Sequence, residues 1–428
     1  GAKNPPGPPR LPLLGYILQL GGKPHRSLSD LSKVYGSVMS LKLGCLTTVV
    51  ISSPDAAKEV LKTHDHVLSY RISSDPVRAA GHHELSIVWL PPFARWRFLR
   101  KITRNQLFST QRLEATSALR MMKVQELMSF VNKCSKRREA VNISRASFIT
   151  SLNIISNALF STNLANFDNG SKTSHDFHNV VIRMMEIAGK PNLADFFPFL
   201  GFLDLQGARK EARLLMHRLF KDLFLAGVDT SSSAVEWAMA ELLQNPKMMV
   251  KAQEEIRQVI GLNSTVQELD IVKLPYLQAV VKESLRLHPP APFLIPRKSK
   301  SDDVRIFEFL IPKNTQVLVN VWAIGRDPSV WENPTQFEPE RFLRRGIDAK
   351  GKDFEVIPFG AGRRICPGMP LAFRIMHLVL ASLLYGFDWE NQNGVVLENV
   401  DMSEAFGATM HKAEPLCVVP INNGPSLP

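Results

Sequence analysis

Cys366 is the residue whose type and setting could do the most demanding chemistry in this chain. It lies in the run Phe-Gly-Ala-Gly-Arg-Arg-Ile-Cys-Pro-Gly, residues 359–368, just before an apolar helical stretch. The positive end of that helix and its unpaired N–H groups favour the thiolate form of the cysteine. Gly362 and Gly368 would let a flat ligand approach the backbone, and Arg364 could bind its anionic edge. Such a thiolate suits an axial bond to haem iron, whereas a single cysteine is more often an inert buried thiol.

A polar pair interrupts the most apolar helix that the sequence predicts, residues 221–244. Asp229 and Thr230 follow Ala226 and Gly227 in the run Ala-Gly-Val-Asp-Thr-Ser. Gly227 weakens a helix by about 1 kcal/mol relative to Ala, and Thr230 can bond back to a carbonyl one turn earlier or leave it free. Both features predict a local kink with a polar gap. A chance Asp-Thr pair with satisfied hydrogen bonds is the alternative.

Charged residues at helical spacing form two further pairs. Glu283 and Arg286 are three residues apart, which on an exposed helix face is worth only about 0.2–0.5 kcal/mol. Trp96 and Arg100 are four residues apart and would share one helix face. Neither pair indicates a function by itself.

Together these features resemble the cytochrome P-450 superfamily. Its haem-binding loop, F-x-x-G-x-R-x-C-x-G, is matched at Phe359, Gly362, Arg364, Cys366 and Gly368. Chance rarely matches five fixed positions, so this signature is specific. The resemblance implies a mainly α-helical fold, a helix-rich haem domain with a small β-rich region. It also implies that haem (iron protoporphyrin IX) is the cofactor and that Cys366 is the axial ligand of its iron.

The polar pair acquires a role through the same resemblance. The run that contains Asp229 and Thr230 is similar to the oxygen-activation motif A/G-G-x-D/E-T. In that motif the threonine hydrogen-bonds dioxygen and the acid helps to deliver protons. Ala226 and Gly227 would leave space over the haem for dioxygen and substrate.

The charged pairs also acquire roles. Glu283 and Arg286 resemble the E-x-x-R motif, whose third member is the arginine of P-E-R-F, here Arg341. The resemblance implies that these three form a buried structural network that braces the cysteine loop. It implies a second set of residues that bind the two haem propionates, namely Trp96, Arg100, Arg297 and Arg364.

The resemblance further assigns substrate-contacting positions, nearly all of them apolar, as expected of a pocket for a hydrophobic molecule. They are Leu85, Ile87, Val88, Leu90, Asp222, Leu223, Ala226, Pro292, Phe293, Leu294, Ile295, Phe406, Gly407 and Ala408. Asp222 is the polar exception and could hydrogen-bond a substrate hydroxyl. Ordinary core packing is the alternative for each of the others.

The resemblance implies a monooxygenase that uses dioxygen and electrons from NADPH, delivered by an NADPH–cytochrome P-450 reductase. Local runs are similar to plant microsomal terpenoid monooxygenases, the group of geraniol 8-hydroxylase and ferruginol synthase, so a terpenoid substrate is expected. Four alternatives stay open: a haem-thiolate isomerase or dehydratase, a phenolic hydroxylase, an alkaloid hydroxylase, and a non-catalytic protein that binds haem or an apolar ligand. An isomerase or dehydratase would need no dioxygen, and Thr230 argues against it.

Composition limits the remaining possibilities. The chain has 428 residues, 45% of them hydrophobic, and no linker or repeat, which predicts one large domain over residues 11–428. The net charge of +12 is dispersed and accompanies no nucleic-acid-binding motif, so an anionic membrane surface or the acidic reductase is the expected partner. The four cysteines have neither zinc spacing nor a disulfide pattern, which favours a reducing compartment. We expect a monomer.

The N-terminal residues 1–10 are rich in proline and predict a stiff hinge. In membrane-bound members of the resembled family such a hinge follows an anchor helix, so we expect that an anchor has been removed here. The expected location is the cytosolic face of the endoplasmic reticulum membrane. An ordinary proline-rich loop is the alternative. No apolar stretch is expected to reach the roughly 18 residues of a membrane span.

Periodicity predicts the elements that position these residues. Residues 38–51 read as two short strands and residues 316–322 as a buried strand. Helices are predicted at 54–62, 113–134, 142–160, 221–244, 246–260 and 276–287. In the resembled family a substantial segment separates the helix that ends at Phe220 from the long helix that begins at Lys221. We therefore expect that residues are missing at this junction.

Overall fold

The computed structural model describes residues 3–9, 11–79, 81–167, 172–190, 192–216, 221–261, 264–301, 304–391 and 400–422. Helices dominate this part of the chain, which confirms the expected mainly α-helical fold. The α-helices are α1 Pro24–Tyr35, α2 Pro54–Lys58, α3 Asp65–Leu68, α4 Asp75–Ala79, α5 Ala94–Ile102, α6 Thr110–Ala115, α7 Ser117–Arg137, α8 Ile143–Phe160, α9 Lys172–Gly189, α10 Leu193–Phe196, α11 Ala208–Met216, α12 Lys221–Gln244, α13 Pro246–Ile260, α14 Pro275–Leu287, α15 Val321–Ile324, α16 Glu340–Arg345 and α17 Met369–Gly386.

Strands form a smaller, mostly peripheral part of the fold. They are β1 Val38–Leu43, β2 Leu46–Ile51, β3 Tyr70–Arg71, β4 Val141–Asn142, β5 Arg297–Lys298, β6 Val304–Ile306, β7 Phe309–Ile311, β8 Gln316–Val319, β9 Phe387–Asn391, β10 Glu404–Ala405, β11 His411–Lys412 and β12 Cys417–Asn422. The largest sheet has the order β1-β2-β8-β5-β3, and only its β2–β8 pair is parallel. This sheet matters for the site because it brings β3 beside β5.

Helix α12 lies at the centre of the molecule, as its apolar sequence predicts. The side chains of residues 231–243 are all buried, and α8, α14 and α17 pack around the helix. A helix that is apolar on nearly every side is stable only when other elements surround it. Its position places Ala226, Gly227, Thr230 and Ser231 against the cavity described below.

The predicted elements agree with the structure except at three places. The helix predicted at 54–62 ends at Lys58 and continues as a π-helical turn, Glu59–Thr63. The helix predicted at 113–134 is divided at Thr116 into α6 and α7. The strand predicted at 316–322 was wrong beyond Val319, because the Asn320 side chain accepts a hydrogen bond from the Ala323 N–H at 3.1 Å and starts α15.

The proline-rich segment packs against the first strand of the large sheet. The Ser40 N–H donates to the Pro6 carbonyl at 2.7 Å, and the Ser40 hydroxyl donates to the Pro5 carbonyl at 2.8 Å. A Cβ on Gly7 would lie 1.7 Å from the Ser40 carbonyl oxygen, so this close approach requires glycine.

Helix α17 corrects the expectation about apolar length. It has 18 residues with a mean hydropathy of 1.4, enough by length and composition to cross a membrane, but 61% of it is buried inside the fold. It packs against α7, α12, α13 and α14. Its apolar character is therefore explained by its place in the core.

Candidate active site

A cavity of about 750 Å³ lies between α12, the loop that carries Cys366, and a group of arginines. Cys366 and Gly368 line one side, and Ala226, Gly227 and Thr230 line another. Helix α8, which sequence reasoning did not assign to the site, adds apolar side chains. The added residues from α8 are Ile154, Ile155, Ala158, Leu159 and Phe160.

The cysteine loop is held by its own backbone. The Cys366 N–H donates to the Phe359 carbonyl at 3.0 Å, which closes the loop just before α17 begins at Met369. The N–H groups of Gly368 and Met369 are directed at the sulfur. A Cβ on Gly368 would lie 3.9 Å from Cys366 Sγ and 3.8 Å from the Phe108 ring. The loop thus presents a sulfur with backbone donors behind it.

Burial decides the protonation of this thiol. It raises the pKa of Cys366 above its ordinary value, although the Gly368 and Met369 N–H groups and the charge of Arg100 act in the opposite direction. The prediction that the loop alone favours the thiolate was therefore wrong, because desolvation outweighs the local donors. A thiol that coordinates a metal ion is deprotonated outright, so bound iron would supply what the loop lacks.

Gly362 has a different role from the one expected. Its φ is +68°, and a Cβ there would lie 1.8 Å from the Leu61 carbonyl oxygen and 3.1 Å from an Asp65 carboxylate oxygen. It is not among the residues that line the cavity. The missing side chain lets the loop dock on the turn at Glu59–Thr63, rather than letting a ligand approach. Gly360, with φ +68°, lines the cavity instead.

Arg364 and Arg100 join the cysteine loop to the segments around it. Arg364 donates to the carbonyls of Ser69 at 2.9 Å, Ile87 at 3.3 Å and Leu90 at 2.5 Å. Arg100 donates to the carbonyl of Ile365, next to the cysteine, at 2.8 Å. Both guanidinium groups line the cavity.

Trp96 lies between these two arginines and is committed elsewhere. Its ring centroid is 4.5 Å from the guanidinium carbon of Arg364 and 5.6 Å from that of Arg100. Its indole N–H donates to the Ile87 carbonyl at 3.0 Å. In this structure Trp96 therefore supports the arginines, and its N–H is not free to bind a propionate as expected.

Arg71 is a cavity-lining arginine that sequence reasoning missed. Strand β3 pairs with β5, which places Arg71 directly opposite Arg297. Arg71 donates to the Ile295 carbonyl, while its Nε and that of Arg297 are buried and have no hydrogen-bond partner in the part of the chain that the structure describes. Arg71 is in no motif, and only the strand pairing brings it here. No signal in the sequence alone would have found it.

Neighbouring arginines help to lower the pKa of Arg71 and Arg364, whereas the charge of Asp65 acts to raise that of Arg297. Burial is the largest cause for each of the three. It lowers the pKa of Arg297 to about 10 and that of Arg364 to about 9, where the charges of Arg297 and Arg100 contribute. The pKa of Arg71 is also lowered, with contributions from Arg297 and Arg364. None of the described residues that line the cavity is acidic.

The residues present fit haem. Cations with no carboxylate in contact among the described residues, two of them with unpartnered nitrogens, match the two carboxylates of its propionates. A cysteine sulfur on the same cavity matches the axial ligand of the iron. Cys366 would hold the metal, and Arg71, Arg100, Arg297 and Arg364 would hold the anionic edge.

The polar residues of α12 do not open the helix. The Thr230 hydroxyl donates to the Ala226 carbonyl at 2.7 Å, and the Ser231 hydroxyl donates to the Gly227 carbonyl at 3.0 Å. The helix is continuous from Lys221 to Gln244, so the polar residues do not interrupt it. Hydroxyls that bond to the carbonyl one turn earlier often bend a helix, so the predicted kink stays a prediction. Gly227 instead gives room to α8, since a Cβ would lie 3.0 Å from Ile155 Cδ1.

Asp229 faces away from the cavity, unlike its neighbour Thr230. It is 1% exposed, and its Oδ2 lies 3.2 Å from Nε2 of His411 on β11. His411 was not predicted as a site residue. The sequence does indicate that such a partner exists, because a buried aspartate needs a cation beside it. It does not indicate which residue supplies that cation.

The structure brings Glu283, Arg286 and Arg341 together. The Glu283 carboxylate accepts from Arg286 at 2.6 and 2.7 Å and from Arg341 at 3.0 Å. The remaining donors of both arginines reach backbone carbonyls between residues 325 and 336. All three side chains are nearly inaccessible to solvent, with relative exposures of 0–3%.

Comparisons with known proteins agree with this site geometry. The Cytochrome P450 family model matches residues 5–220 and 215–417. The chain is 56% identical to Cytochrome P450 76C4 of Arabidopsis thaliana, over 98% of this chain and 92% of that protein. It is 46% identical to Cytochrome P450 monooxygenase 76AD131 of Lophophora williamsii and 45% identical to Geraniol 8-hydroxylase of Catharanthus roseus, in each case over 97% of this chain and 93% of the relative.

The chain belongs to the cytochrome P450 family. P450 enzymes are oxidoreductases that use haem iron and receive electrons from a redox partner, so the expected enzyme class and cofactor are confirmed. The two pieces of the family match overlap at 215–220, where the sequence predicts a missing segment. The alignment with the 76C4 protein spans 473 positions, so that P450 has residues with no counterpart in this chain of 428.

The substrate positions expected from the P450 resemblance divide into three groups. Those that line the cavity are Leu85, Ile87, Val88, Ala226, Leu294 and Ile295. Those that do not line it are Leu90, Pro292, Phe293, Phe406, Gly407 and Ala408. The side chains of Asp222 and Leu223 lie outside the described residues.

Local packing explains why several expected positions miss the cavity. The Leu90 carbonyl accepts from Arg364, and the Phe406 ring stacks on His25 with centroids 5.5 Å apart. The Ala408 N–H donates to the Met185 carbonyl at 2.9 Å, which holds this turn against α9.

Proposed function

We propose that this P450 is a haem-thiolate monooxygenase that hydroxylates a hydrophobic terpenoid and takes its electrons from NADPH through a reductase. The observation that carries the proposal is the cavity of about 750 Å³, because it joins Cys366 and Thr230 to a largely apolar wall. The 45% identity to a protein named Geraniol 8-hydroxylase supports the terpenoid class.

The residues have separable tasks in this proposal. When bound, haem supplies the activation of dioxygen and the oxidation of the substrate. Cys366 would hold its iron, and the four arginines would hold its propionates. Thr230 presents its side chain at the cavity wall, and Asp229, the preceding residue of α12, would supply protons. Ile87, Val88, Leu294 and Ile295 would orient the substrate by apolar contact and exclude water.

The charge of the cavity favours a neutral terpenoid over an alkaloid. With the arginines paired to the propionates, a protonated amine would meet an apolar wall and no carboxylate among the described lining residues. Burying such a cation without a counter-ion is unfavourable. A neutral phenolic remains compatible with the apolar wall, so it is the second candidate. A haem-thiolate isomerase would not need the Thr230 side chain at the cavity wall.

The experiment is turnover of the haem-loaded protein with reductase and NADPH against monoterpene alcohols, diterpenes, simple phenolics and benzylic amines. We expect a spectral shift on binding and a hydroxylated product for at least one terpenoid. Cys366→Ser should lose the absorbance of the thiolate-ligated carbon monoxide complex, while the control Cys45→Ser, at an exposed cysteine, should keep it. Product formation without NADPH or oxygen, or products from amines alone, would contradict the proposal.

A basic face beside the cysteine loop is the proposed docking site for the acidic reductase. Arg97, Lys101, Arg104 and Arg112 are exposed along the segment from α5 to α6. The same segment contacts the loop through Arg100 and Ile365. Opposite charges accelerate encounter, and salt screens them.

The reductase proposal is tested by charge reversal. Lys101→Glu together with Arg104→Glu should raise the reductase concentration needed for half-maximal turnover, and the salt dependence of turnover should weaken. Lys136→Glu, at an exposed position near the far end of α7, is the matched control. Equal behaviour of the two variants would argue against docking at this face.

An exposed apolar patch supports a membrane-facing orientation on the endoplasmic reticulum. One part comprises Leu13, Leu14 and Leu18, with exposures of 88%, 37% and 69%. The other part is Phe199, Phe202, Leu203 and Leu205, with exposures of 65%, 78%, 49% and 61%. The turn between β1 and β2 joins them, because the Gly44 N–H donates to the Leu14 carbonyl at 3.1 Å and the Cys45 N–H to the Phe196 carbonyl at 2.9 Å. Patches of this kind mark interaction sites.

The membrane proposal is tested by sedimentation with phosphatidylcholine–phosphatidylserine vesicles. Phe199→Glu together with Phe202→Glu should reduce the bound fraction of this chain. Leu269→Glu, at a residue that is 84% exposed and outside the patch, should not. Binding that is unchanged by the patch variants would show that this surface does not face the bilayer.

A further inference from the structure

Asp229 and Thr230 are neighbours in α12, but they face different surroundings. Consecutive helical residues point about 100° apart, and only Thr230 lines the cavity. Asp229 lies against β11, where its Oδ2 is 3.2 Å from Nε2 of His411. The separation is that of an ion pair when the imidazole is protonated, and neither atom has another hydrogen-bond partner among the described residues. His411 is thus the cationic partner that the structure places at this carboxylate oxygen.

The backbone around β11 fixes the position of His411. The Ser233 hydroxyl of α12 donates to the Met410 carbonyl at 2.9 Å, and the Met410 N–H donates to the Pro290 carbonyl at 2.8 Å. On the other side, a Cβ on Gly189 of α9 would lie 1.9 Å from the Ala408 nitrogen, so α9 packs directly on this turn. The segment before His411 is thus held between α9 and α12.

The charges that face His411 come from both helices. Asp229 and Glu236 of α12 and Glu186 of α9 act on the imidazole. Burial, the largest single influence, lowers the pKa of His411, but the three acids together outweigh it and raise the pKa above the ordinary value. Another charged group nearby is Lys412, the next residue on the strand, whose Nζ lies 5.1 Å from the centroid of the Trp237 ring. A charged imidazole is favoured where Asp229 needs a counter-ion.

We propose that His411 is a positioning residue that holds the Asp229 carboxylate on the β11 side of α12 and sets the pH range in which this acid serves the site at Thr230. The inference rests on the proposed function, since it concerns the acid that would supply protons there. It gives His411, on β11, a role in the reaction as well as in packing. Removing the imidazole would leave a buried carboxylate without a counter-ion.

The first test measures the pair without turnover. In protein with carbon-13 at histidine Cε1, the His411 signal is identified by its loss in His411→Gln. We expect it to titrate above the value of about 6.5 that is ordinary for histidine and to move to lower pH in Asp229→Asn, with His66→Gln, at an exposed histidine, as the assignment control. A His411 midpoint that is unchanged in Asp229→Asn would overturn the proposal.

The second test is a double-mutant cycle in melting temperature with His411→Gln, Asp229→Asn and the double variant of the haem-loaded protein. A pKa that is raised in the folded state gives stability that is present at low pH and is lost as pH rises through that pKa. Coupling between the two residues should therefore be largest near pH 6 and disappear at higher pH. His411→Lys should keep the coupling to higher pH, because an ammonium group stays charged longer. Coupling that is absent at every pH would contradict the pair.

The third test links the pair to the reaction. His411→Gln should lower kcat about tenfold with little change in KM, which is less than the 10²–10⁴-fold expected from loss of a general acid. It should also remove one ionisation from the pH profile of kcat, and His411→Lys should restore that ionisation at higher pH. His66→Gln should behave as the unmodified chain. If no product forms with any substrate, the proposed function fails while the titration still decides the pair; an unchanged pH profile in His411→Gln rejects the positioning role alone.

Discussion

Two groups of buried arginines in this molecule differ in how far their charges are neutralised. Arg286 and Arg341 share the Glu283 carboxylate and direct their other donors at carbonyls. Arg71 and Arg297 have no carboxylate in contact among the described residues, and each has an unpartnered nitrogen. The first group is complete within the chain. In our proposal a bound anion would complete the second, and this difference separates a structural network from a binding site.

The comparison predicts its largest effect at Arg286. Arg286→Ala leaves Glu283 as a buried charge with one partner fewer and strands several carbonyls, which we expect to cost about 3–5 kcal/mol. The protein should be recovered in low yield and without haem. Yield, haem content and melting temperature measure this. Arg344→Ala is the control, because Arg344 is exposed and pairs with Glu338 at the surface.

Unchanged haem content in Arg286→Ala would contradict the role given to the first group of arginines. It would mean that the complete network is dispensable for the fold. The control excludes a general effect of losing an arginine near α16.

A smaller effect, and of a different kind, is expected at Arg71. Arg71→Met removes a positive charge that the nearby charges of Arg297 and Arg364 repel, so the chain should fold in normal yield. The haem should be held more weakly, by about 1.5–3 kcal/mol for a lost charge-assisted hydrogen bond, or about 10- to 100-fold in affinity. Transfer of haem to apomyoglobin measures the change. Loss of folding in this variant would show that Arg71 belongs with the structural group.

The smallest effect concerns Glu404, a buried acid with partners supplied by the chain. His25, at 2.8 Å, and Arg26 hold its pKa to about 2 although burial acts in the opposite direction. A carboxyl whose pKa is lower when folded contributes stability above its unfolded value and loses it as pH falls towards 2. Glu404→Gln should therefore flatten the fall in melting temperature between pH 4.5 and pH 2. If the melting temperature of Glu404→Gln falls as steeply with acid as that of the unmodified chain, Glu404 is not the cause of the fall.

The sequence predicted those parts of the site that are local along the chain. The cysteine loop is one continuous run, and the apolar length of α12 places Thr230 at the centre of the fold. The E-x-x-R pair follows from helical spacing once its helix is recognised. These predictions need no knowledge of long-range packing.

What the sequence did not predict depends on packing between distant segments. Arg71 reaches the cavity because β3 pairs with β5, and His411 reaches Asp229 because β11 lies on α12. The prediction that the loop favours the thiolate form of Cys366 was wrong for the same reason, since burial is a property of the whole fold.

The three carbonyls held by Arg364 have a consequence for assembly. Those of Ile87 and Leu90 belong to the segment that borders the cavity, and that of Ser69 precedes the strand of Arg71. One guanidinium group thus ties the edge proposed to hold the propionates to the border of the cavity proposed to receive the substrate. Loss of Arg364 should therefore disturb cofactor retention and substrate selectivity together, because both boundaries depend on the same three hydrogen bonds.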